Sequence, residues 1–405
     1  MQDIALFQMA LGLAPPWLVA NSSFSLEQGQ LDIHLDFPRG STFPCPCCGG
    51  AGCKAYDTEE LTWRHLNFFQ YKAYLHARTP RIECPQCGVK RVNVPWARAG
   101  SGFTLLLEAM VMTLVKVMPV HTVAKLIGEH DTRIWRIVHH YVDSARAAQD
   151  YSLVSKIGVD ETAARRGHDY VSLFVDHDQR KVLFATPGKD GSTVAAFAED
   201  LQVHGGKPDA IKQVSSDLSP AFISGVTKHL PHAEITFDPF HVTKLVNEAV
   251  DKVRRAEQQQ HPELRKTRYL WLKNPANLTV GQTQRLEDFD LPNSTLKTAR
   301  AYQLRLAFQS FYDQPREQAK VYLKKWYFWA THSRLEPMIE VAKTIKRHWN
   351  GILRWSETKI SNGLLEGINS LVQAAKAKAR GYRSHRNFIA IIYLVAGKLS
   401  LELPT

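Results

Sequence analysis

Two sets of side chains in this sequence have the types and spacing to do chemistry. The first is a series of carboxylates, each closing an apolar, strand-like run: Asp160 in Ile157-Gly158-Val159-Asp160-Glu161, Asp217 in Val214-Ser215-Ser216-Asp217, and Asp238 in Ile235-Thr236-Phe237-Asp238. An acid abutting an apolar strand is costly to bury unless something cationic compensates it. Adjacent central strands of a mixed sheet would set Asp160 beside Asp217, where divalent cations that prefer hard oxygen relieve the repulsion. A third acid completes a two-metal site, and Glu366 is placed to supply it from a helix that opens after Ser361-Asn362-Gly363. Such a site performs phosphoryl transfer: one metal activates a water or a 3′-hydroxyl, and the other stabilises the leaving oxygen. Nucleic acid is the natural substrate. Any one of these acids alone reads equally well as a cap or a surface charge, so the inference rests on their joint order. Asp238 and His241, which follows it, are read as accessory residues, His241 either near the metals or as a cap of the next helix.

The second set is thiol. All six cysteines, Cys45, Cys47, Cys48, Cys53, Cys84 and Cys87, fall in one short stretch of the first quarter. Cys45-Pro46-Cys47-Cys48 and Cys84-Pro85-Gln86-Cys87 are two CxxC pairs, each holding two thiolates on a tight turn at the separation a tetrahedral zinc needs. The 35 residues between the pairs fit a β-hairpin. Redox CxxC motifs or unliganded thiols are the alternatives, and two clustered pairs argue against both. Cys47 and Cys53 leave the first pair open, although Cys45 with Cys48 mirrors the spacing of Cys84 with Cys87. One structural zinc on Cys45, Cys48, Cys84 and Cys87 is the expectation, in a reducing compartment.

The elements that must position these groups follow from hydrophobic period. Leu31, Ile33, Leu35 and Phe37 alternate with Asp32, His34 and Asp36, so 17–37 reads as a hairpin. From Thr104 the pattern turns helical, with segments at 105–117, 122–127 and 131–146 separated by Pro119 and Gly128. That is the length and turn of a helix-turn-helix, the last helix capped by Asp131 or Thr132 and turning Arg133, Arg136 and His139 away from its apolar face. Strand-like runs at 156–161, 170–176, 181–186, 211–217 and 233–240 alternate with helices at 193–204 and 219–230, a mixed α/β order. From His241 to Leu399 almost everything reads as helix, divided by a polar, loop-like stretch at 274–294.

Composition bounds the rest. The chain has 405 residues, 44% hydrophobic and 22% charged, which excludes a peptide hormone and the signature of disorder. Its net charge of +12 favours a polyanionic partner. No run reaches the roughly 18 apolar residues of a membrane span, and no basic residue precedes Arg39, so a secretory signal is not expected. Lys376, Lys378, Arg380, Arg383 and Arg386, interleaved with Tyr382 and His385, form a candidate track for a DNA backbone; a solvated basic face is the alternative.

Taken together, the paired CxxC module with Trp63-Arg64-His65-Leu66 between, Gly158-Val159-Asp160-Glu161, Ser216-Asp217, Phe237-Asp238-Pro239-Phe240-His241-Val242, and Ser361-Asn362-Gly363 through Glu366-Gly367-Ile368-Asn369 resemble the bacterial insertion-sequence transposases of the ISL3 group, which carry a DDE catalytic core. The resemblance implies an RNase H-like fold, a triad of Asp160, Asp217 and Glu366 holding two magnesium ions, and zinc and helix-turn-helix modules that bind the element's terminal inverted repeats. It implies a cytoplasmic, nucleoid-associated enzyme that works on double-stranded DNA as a homodimer or higher oligomer, without a membrane. About 149 residues separate Asp217 from Glu366, so a helical insertion is expected within the core. It contains Trp326-Tyr327-Phe328-Trp329, read as core packing in preference to base stacking. Seven residues after the glutamate, where several DDE families carry Lys or Arg, this chain has Gln373, and the phosphate contact passes to Lys376.

The expected organisation is therefore 1–42, an N-terminal helix and hairpin; 43–100, a small β-rich zinc module; 101–150, a helix-turn-helix; 151–260, the first part of a multidomain α/β protein's RNase H-like mixed-sheet core; 261–343, a helical insertion; and 344–405, the rest of the core with the glutamate helix and the basic segment. The rivals are a non-catalytic zinc/helix-turn-helix regulator and an RNase H-like nuclease that joins nothing.

Overall fold

A computed structural model describes residues 2–403. The chain divides into two compact units, with the division between Ala145 and Arg146.

The first unit opens with α1 (Gln2–Ala10), β1 (Leu18–Ser25) and β2 (Gln30–Asp36), followed by β3 (Thr42–Phe43), β4 (Cys53–Phe68), β5 (Tyr71–Cys84) and β6 (Gly88–Arg91). One sheet in the order β1-β2-β5-β4-β3 carries β6 against β5. The alternation expected in β2 is present: Leu31, Ile33 and Leu35 are buried and the intervening polar residues lie on the wetter face. The long β4–β5 hairpin decides the geometry of the cysteines. It pairs Ala55 with Ile82, so the chain entering β4 and the chain leaving β5 sit at the same end.

α2 (Leu105–Val115), α3 (Val120–Ile127) and α4 (Asp131–Ala147) then form the helical triplet. Thr104 caps α2, and Gly128, at φ +74°, lets the chain reverse after α3. The start of α4 differs from the sequence expectation. The side chain that satisfies its first turn is His130, whose Nδ1 accepts the Thr132 N–H at 3.3 Å, and Asp131 is already helical. Val111, Val123, Ile134 and Val138 close the core of the triplet. Buried Glu108 accepts from Arg98 Nε at 2.9 Å, Ser101 Oγ at 2.6 Å and Tyr141 Oη at 3.1 Å, which ties α2 to α4.

The second unit contains β7 (Lys156–Ala163), β8 (Tyr170–Asp176), β9 (Lys181–Pro187), α5 (Gly191–Val203), β10 (Gln213–Ser216), α6 (Pro220–His229), β11 (Glu234–Phe237) and α7 (Pro239–Glu257). The sheet order is β11-β10-β7-β8-β9, with β7, β8 and β9 an antiparallel meander and β10 and β11 parallel to β7. This is the strand order and polarity of an RNase H-like core. Its helix-covered face is packed by Val159, Phe174, Phe197, Val214 and Phe222.

A helical region interrupts the core: α8 (Arg268–Leu272), α9 (Val280–Glu287), α10 (Lys297–Gln309), α11 (Arg316–Thr331) and α12 (Glu336–Arg347). With α7 they bury a second cluster that includes Val246, Trp271, Tyr302, Phe308, Trp326 and Met338. The stretch expected as a loop at 274–294 contains α9. Thr279 and Gln282 form a reciprocal capping box there, enough to nucleate a short helix in polar sequence. The aromatic quartet is split: Trp326 is in the core with Nε1 donating to Leu304 O at 2.8 Å, whereas Phe328 and Trp329 are 65% and 44% exposed.

The chain returns to the sheet through α13 (Trp349–Thr358), α14 (Gly363–Lys378) and α15 (His385–Ala396). Among the described residues no helix is long and apolar enough to cross a membrane.

Candidate active site and metal centre

The register of the parallel strands places the acids. Ser215 of β10 lies opposite Gly158 of β7, and Ser216 lies opposite Phe237 of β11. Continuing each pairing past the last matched residue sets Asp217 level with Asp160 on one side and with Asp238 on the other. Neighbouring strands are roughly 4.8 Å apart, so the three acids form a row, with Asp217 and Asp238 just past the carboxyl ends of β10 and β11, where open α/β sheets bind ligands, and Asp160 level with them within the longer β7. Their mutual influence is visible in Asp160. Burial, reinforced by the negative charges of Glu161, Asp217 and Asp238, pushes its carboxyl up to about 7 against the opposing pull of the Glu161 N–H. Glu161 is also raised, by burial and by Asp217, while Lys189 and His241 act in the other direction.

The three acids do different work. Asp160 keeps both oxygens engaged on one side: Oδ1 accepts the Glu161 N–H at 2.9 Å, and Oδ2 accepts Asn369 Nδ2 at 2.8 Å. Asp217 Oδ1 accepts the Ser219 N–H at 2.9 Å. Asp238 is buried and structural: it caps α7 through Phe240 N–H and accepts the Asn362 N–H at 2.9 Å, which fixes the turn before α14. His241 lies in the first turn of α7 beside Glu161; the cap is Asp238.

Glu366 arrives on α14, and α14 is docked onto the strand of Asp160 by two devices. Leu365 packs where Gly158 has no side chain, since a Cβ there would come within 2.3 Å of Leu365 Cδ1. Beyond it, side chains one helical repeat apart bond along β7: Asn369 to Asp160, Gln373 Nε2 to Thr162 Oγ1 at 2.7 Å and Ala163 O at 3.0 Å, and Lys376 Nζ to Ala163 O. Gln373 is thus a register tie between helix and strand, and the Lys376 ammonium, lowered by burial, is partly committed to the same carbonyl. Glu366 lies one turn before Asn369, on the exposed side of the first turn.

The donors suit a hard divalent cation, because level carboxylates with no strong cation between them are what such an ion compensates. Two amides, one buried and one half-buried, add to this. Asn362 has both amide atoms, and Asn369 its Oδ1, without a hydrogen-bond partner. Asp160, Asp217 and Glu366 are not drawn within 4.8 Å of one another; the cysteines are the group so gathered among the described residues.

At that second site Cys45, Cys48, Cys84 and Cys87 have all four Sγ atoms within 4.8 Å, and Cys48 Sγ lies 3.6 Å from Cys84 Sγ, close to the edge of a tetrahedron with Zn–S bonds of about 2.3 Å. Amide N–H groups of Cys48 and Cys47 draw the Cys45 thiol down to about 6, whereas the crowding thiols, Cys48 first, push Cys87 up to about 12. Such mutual opposition is relieved when a metal takes all four as thiolates. Cys47 is exposed, and Cys53 is buried with Sγ 3.7 Å from Gly50 O, so neither completes the set.

The comparisons with known proteins agree with this geometry. A family model described as "Transposase" matches residues 157–392, more than half of the chain. The chain belongs to the ISL3 family of insertion-sequence transposases. The helix-turn-helix domain of that family matches 92–142, and a zinc finger of insertion-sequence transposases matches 41–87. This ISL3 transposase is 27% identical over 446 residues to the transposase for insertion sequence element IS1557 in two strains of Mycobacterium tuberculosis, with 100% of this chain and 98% of the relative covered. It is 29% identical over 374 residues to the transposase for IS1001 of Bordetella parapertussis, covering 88% and 89%. DNA transposition is therefore the activity class of the chain.

The expected DNA contacts fall into distinct settings. On α4 of the transposase, Arg133 pairs with Glu129 and stands 4.2 Å over the Phe103 ring, Arg136 is exposed, and His139 stacks on Trp135. Of the basic segment, Lys376, Arg380 and Arg383 line one groove together with Arg165 and Arg166, whereas Lys378 and Arg386 are exposed outside that lining. Sequence reasoning does not reach Glu161, Asn369, Arg165 and Arg166 as site residues. The i+3 spacing of Asn369 from Glu366 was the available signal; Arg165 and Arg166 lie in an unpatterned loop and gave none.

Proposed function

We propose that the chain binds the terminal inverted repeats of its insertion sequence, cleaves the ends hydrolytically, and joins the freed 3′-hydroxyls to target DNA. The observation that carries this reading is the level pair Asp160 and Asp217 with the glutamate helix registered onto the strand of Asp160. Asp160, Asp217 and Glu366 are the catalytic carboxylates and would hold two magnesium ions; when bound, these ions supply Lewis acidity at the attacking and leaving oxygens. The chain's own residues do the rest. Asn369 holds Oδ2 of Asp160, which aims the carboxylate, and Asp238 holds the turn from which α14 starts. Burial and the crowding of the acids raise the Asp160 carboxyl, an opposition that entering cations would relieve. In each step a P–O bond to the nucleophile forms as the P–O bond to the leaving 3′-oxygen breaks: water first, then the element's 3′-hydroxyl on the target strand. Arg136 and its neighbours on α4 read the ends, and the zinc on Cys45, Cys48, Cys84 and Cys87 holds the module beside them in sequence. Two ends must be handled together, so the active species is a dimer or higher oligomer on DNA.

The test is a magnesium-dependent cleavage and joining assay on labelled duplexes from the DNA flanking the gene, with Asp217→Ala alongside. Nicks at defined positions and joined products from the wild type alone support the proposal. Specific binding without cleavage, in magnesium or manganese, would turn the reading to a DNA-binding regulator, and cutting without joining would turn it to a nuclease.

A further inference from the structure

Past Ala163 the strand of Asp160 runs into a loop, and the loop faces the end of α14 across an open groove of about 690 Å³. Its lining is Ala164, Arg165, Arg166, Lys376, Arg380 and Arg383, with Tyr382 and small residues between them. Five cations converge on one concavity. Like charges gathered this way repel, and one carboxylate offsets them in part: Asp169 pairs with Arg165 at 3.7 Å and is also bonded to His385. Arg166, Arg380 and Arg383 have no carboxylate partner among the described residues.

The backbone is shaped to hold this arrangement. Arg380 adopts φ +57° directly after α14, in the left-handed position where glycine or asparagine is usual, and Gly381 follows at φ +93°. That turn brings Arg380 and Arg383 to the same groove. Arg165 donates to Arg383 O, which ties the loop to the other wall.

We propose that this groove binds the phosphodiester backbone of one DNA strand, at phosphates next to the bond that is cut, with Arg166, Arg380 and Arg383 as the phosphate contacts. The inference rests on the transposase reading above. The groove adjoins the strand of Asp160: Ala163, whose carbonyl is held by the groove residue Lys376, is three residues on, roughly 10 Å along the chain. A strand whose scissile phosphate lies at Asp160 and Asp217 therefore meets the groove within a few nucleotides. The groove's volume suits one backbone, not a duplex. Four of its five cations are arginines, which grip phosphate through paired N–H donors. The proposal assigns Arg165 to shaping the wall and leaves Lys378 and Arg386 outside the phosphate grip.

The test uses the full-length, zinc-loaded protein and a short labelled duplex carrying the cleaved junction, with binding followed by fluorescence anisotropy from about 50 to about 300 mM salt. Arg166→Glu and Arg380→Glu are the variants, because neither guanidinium makes a bond on which the fold depends. Lys228→Glu, exposed on α6, controls for net charge. The expectation is roughly tenfold or greater weakening for each groove variant at ~0.15 M salt, a salt slope lower by about one for each phosphate no longer gripped, and a change under about twofold for the control. A neutral methylphosphonate walked through the positions beside the cut should weaken the wild type at one or two positions and leave Arg380→Glu indifferent there. If the groove variants match Lys228→Glu, or if wild type and variants respond alike at every methylphosphonate position, the groove is not the site. Those results with cleavage and joining intact overturn the groove alone, whereas a wild type that neither binds nor cuts the duplex overturns the transposase reading.

Discussion

The two candidate metal sites are built in opposite ways. The four thiols lie on turns at one end of a single hairpin, and local chain geometry alone gathers their sulfur atoms within 4.8 Å. The carboxylates come from β7, the end of β10 and α14, elements spread over about 200 residues of chain, and the fold brings Asp160 and Asp217 level while leaving Glu366 on the exposed side of its helix. A structural site can be closed by its own turns. A catalytic site has to stay open to substrate, so its last ligand is positioned by docking a helix and not by a covalent knuckle. The thiol set should therefore fail by unfolding and the carboxylate set by losing chemistry.

The largest expected effect tests the second half of that contrast. Asp217→Asn should reduce cleavage and joining by at least about 10³-fold, with zinc content, melting temperature and end binding close to wild type. A parallel loss of zinc or of folding would erase the distinction. Cys84→Ser should do the reverse: it should release zinc and destabilise the first unit by several kcal/mol, read by metal analysis and as a melting temperature lower by roughly 10 °C for that transition.

Gly158→Ala probes the docking of α14. A Cβ at this position meets Leu365 Cδ1 at 2.3 Å, and Leu365 is fully buried, so the helix must shift. A cost of ~1–3 kcal/mol in stability is expected, with activity falling further than stability accounts for because Glu366 moves with the helix. Activity that tracks stability alone would detach α14 from the chemistry.

The smallest effect concerns pH. The folded Asp160 carboxyl is raised to about 7, so the stability it allows is present below its ordinary value near 4 and is lost as the pH rises through about 7. Without divalent ions, Asp160→Asn should therefore stabilise the protein at pH 8 by ~1–2 kcal/mol and have little effect at pH 4, in denaturant titrations. Destabilisation at pH 8 would mean that Asp160 is compensated by groups other than a cation.

How much of this was legible in the sequence follows from where each signal resides. Period-two and period-3.6 patterns gave the strands and helices of both units, since Leu31, Ile33 and Leu35, or Ile134, Ile137 and Val138, are buried for local reasons. Even spacing could assign Cys45 with Cys48, because the CxxC turn is a local structure. The level placement of Asp160 and Asp217 was an expectation about adjacency that only the parallel pairing of β7 and β10 turns into register. Gln373, which breaks the basic pattern found in other DDE families, has a role only once Thr162 lies opposite it. Arg165 and Arg166 were invisible because their loop meets Arg383 more than 200 residues later. The helix-forming box Thr279 with Gln282 was present in the sequence, and the polarity around it hid the helix.

The most direct test of the central claim is to locate a divalent ion. Crystals of the protein with a cleaved-end duplex, soaked in manganese, would show by anomalous scattering which side chains hold it. Manganese is expected between Asp160 and Asp217 with the Glu366 carboxylate turned in to complete the ligand set. Manganese held by Glu161 or Asp238 in place of Asp217, or bound with Glu366 still facing solvent, would contradict it.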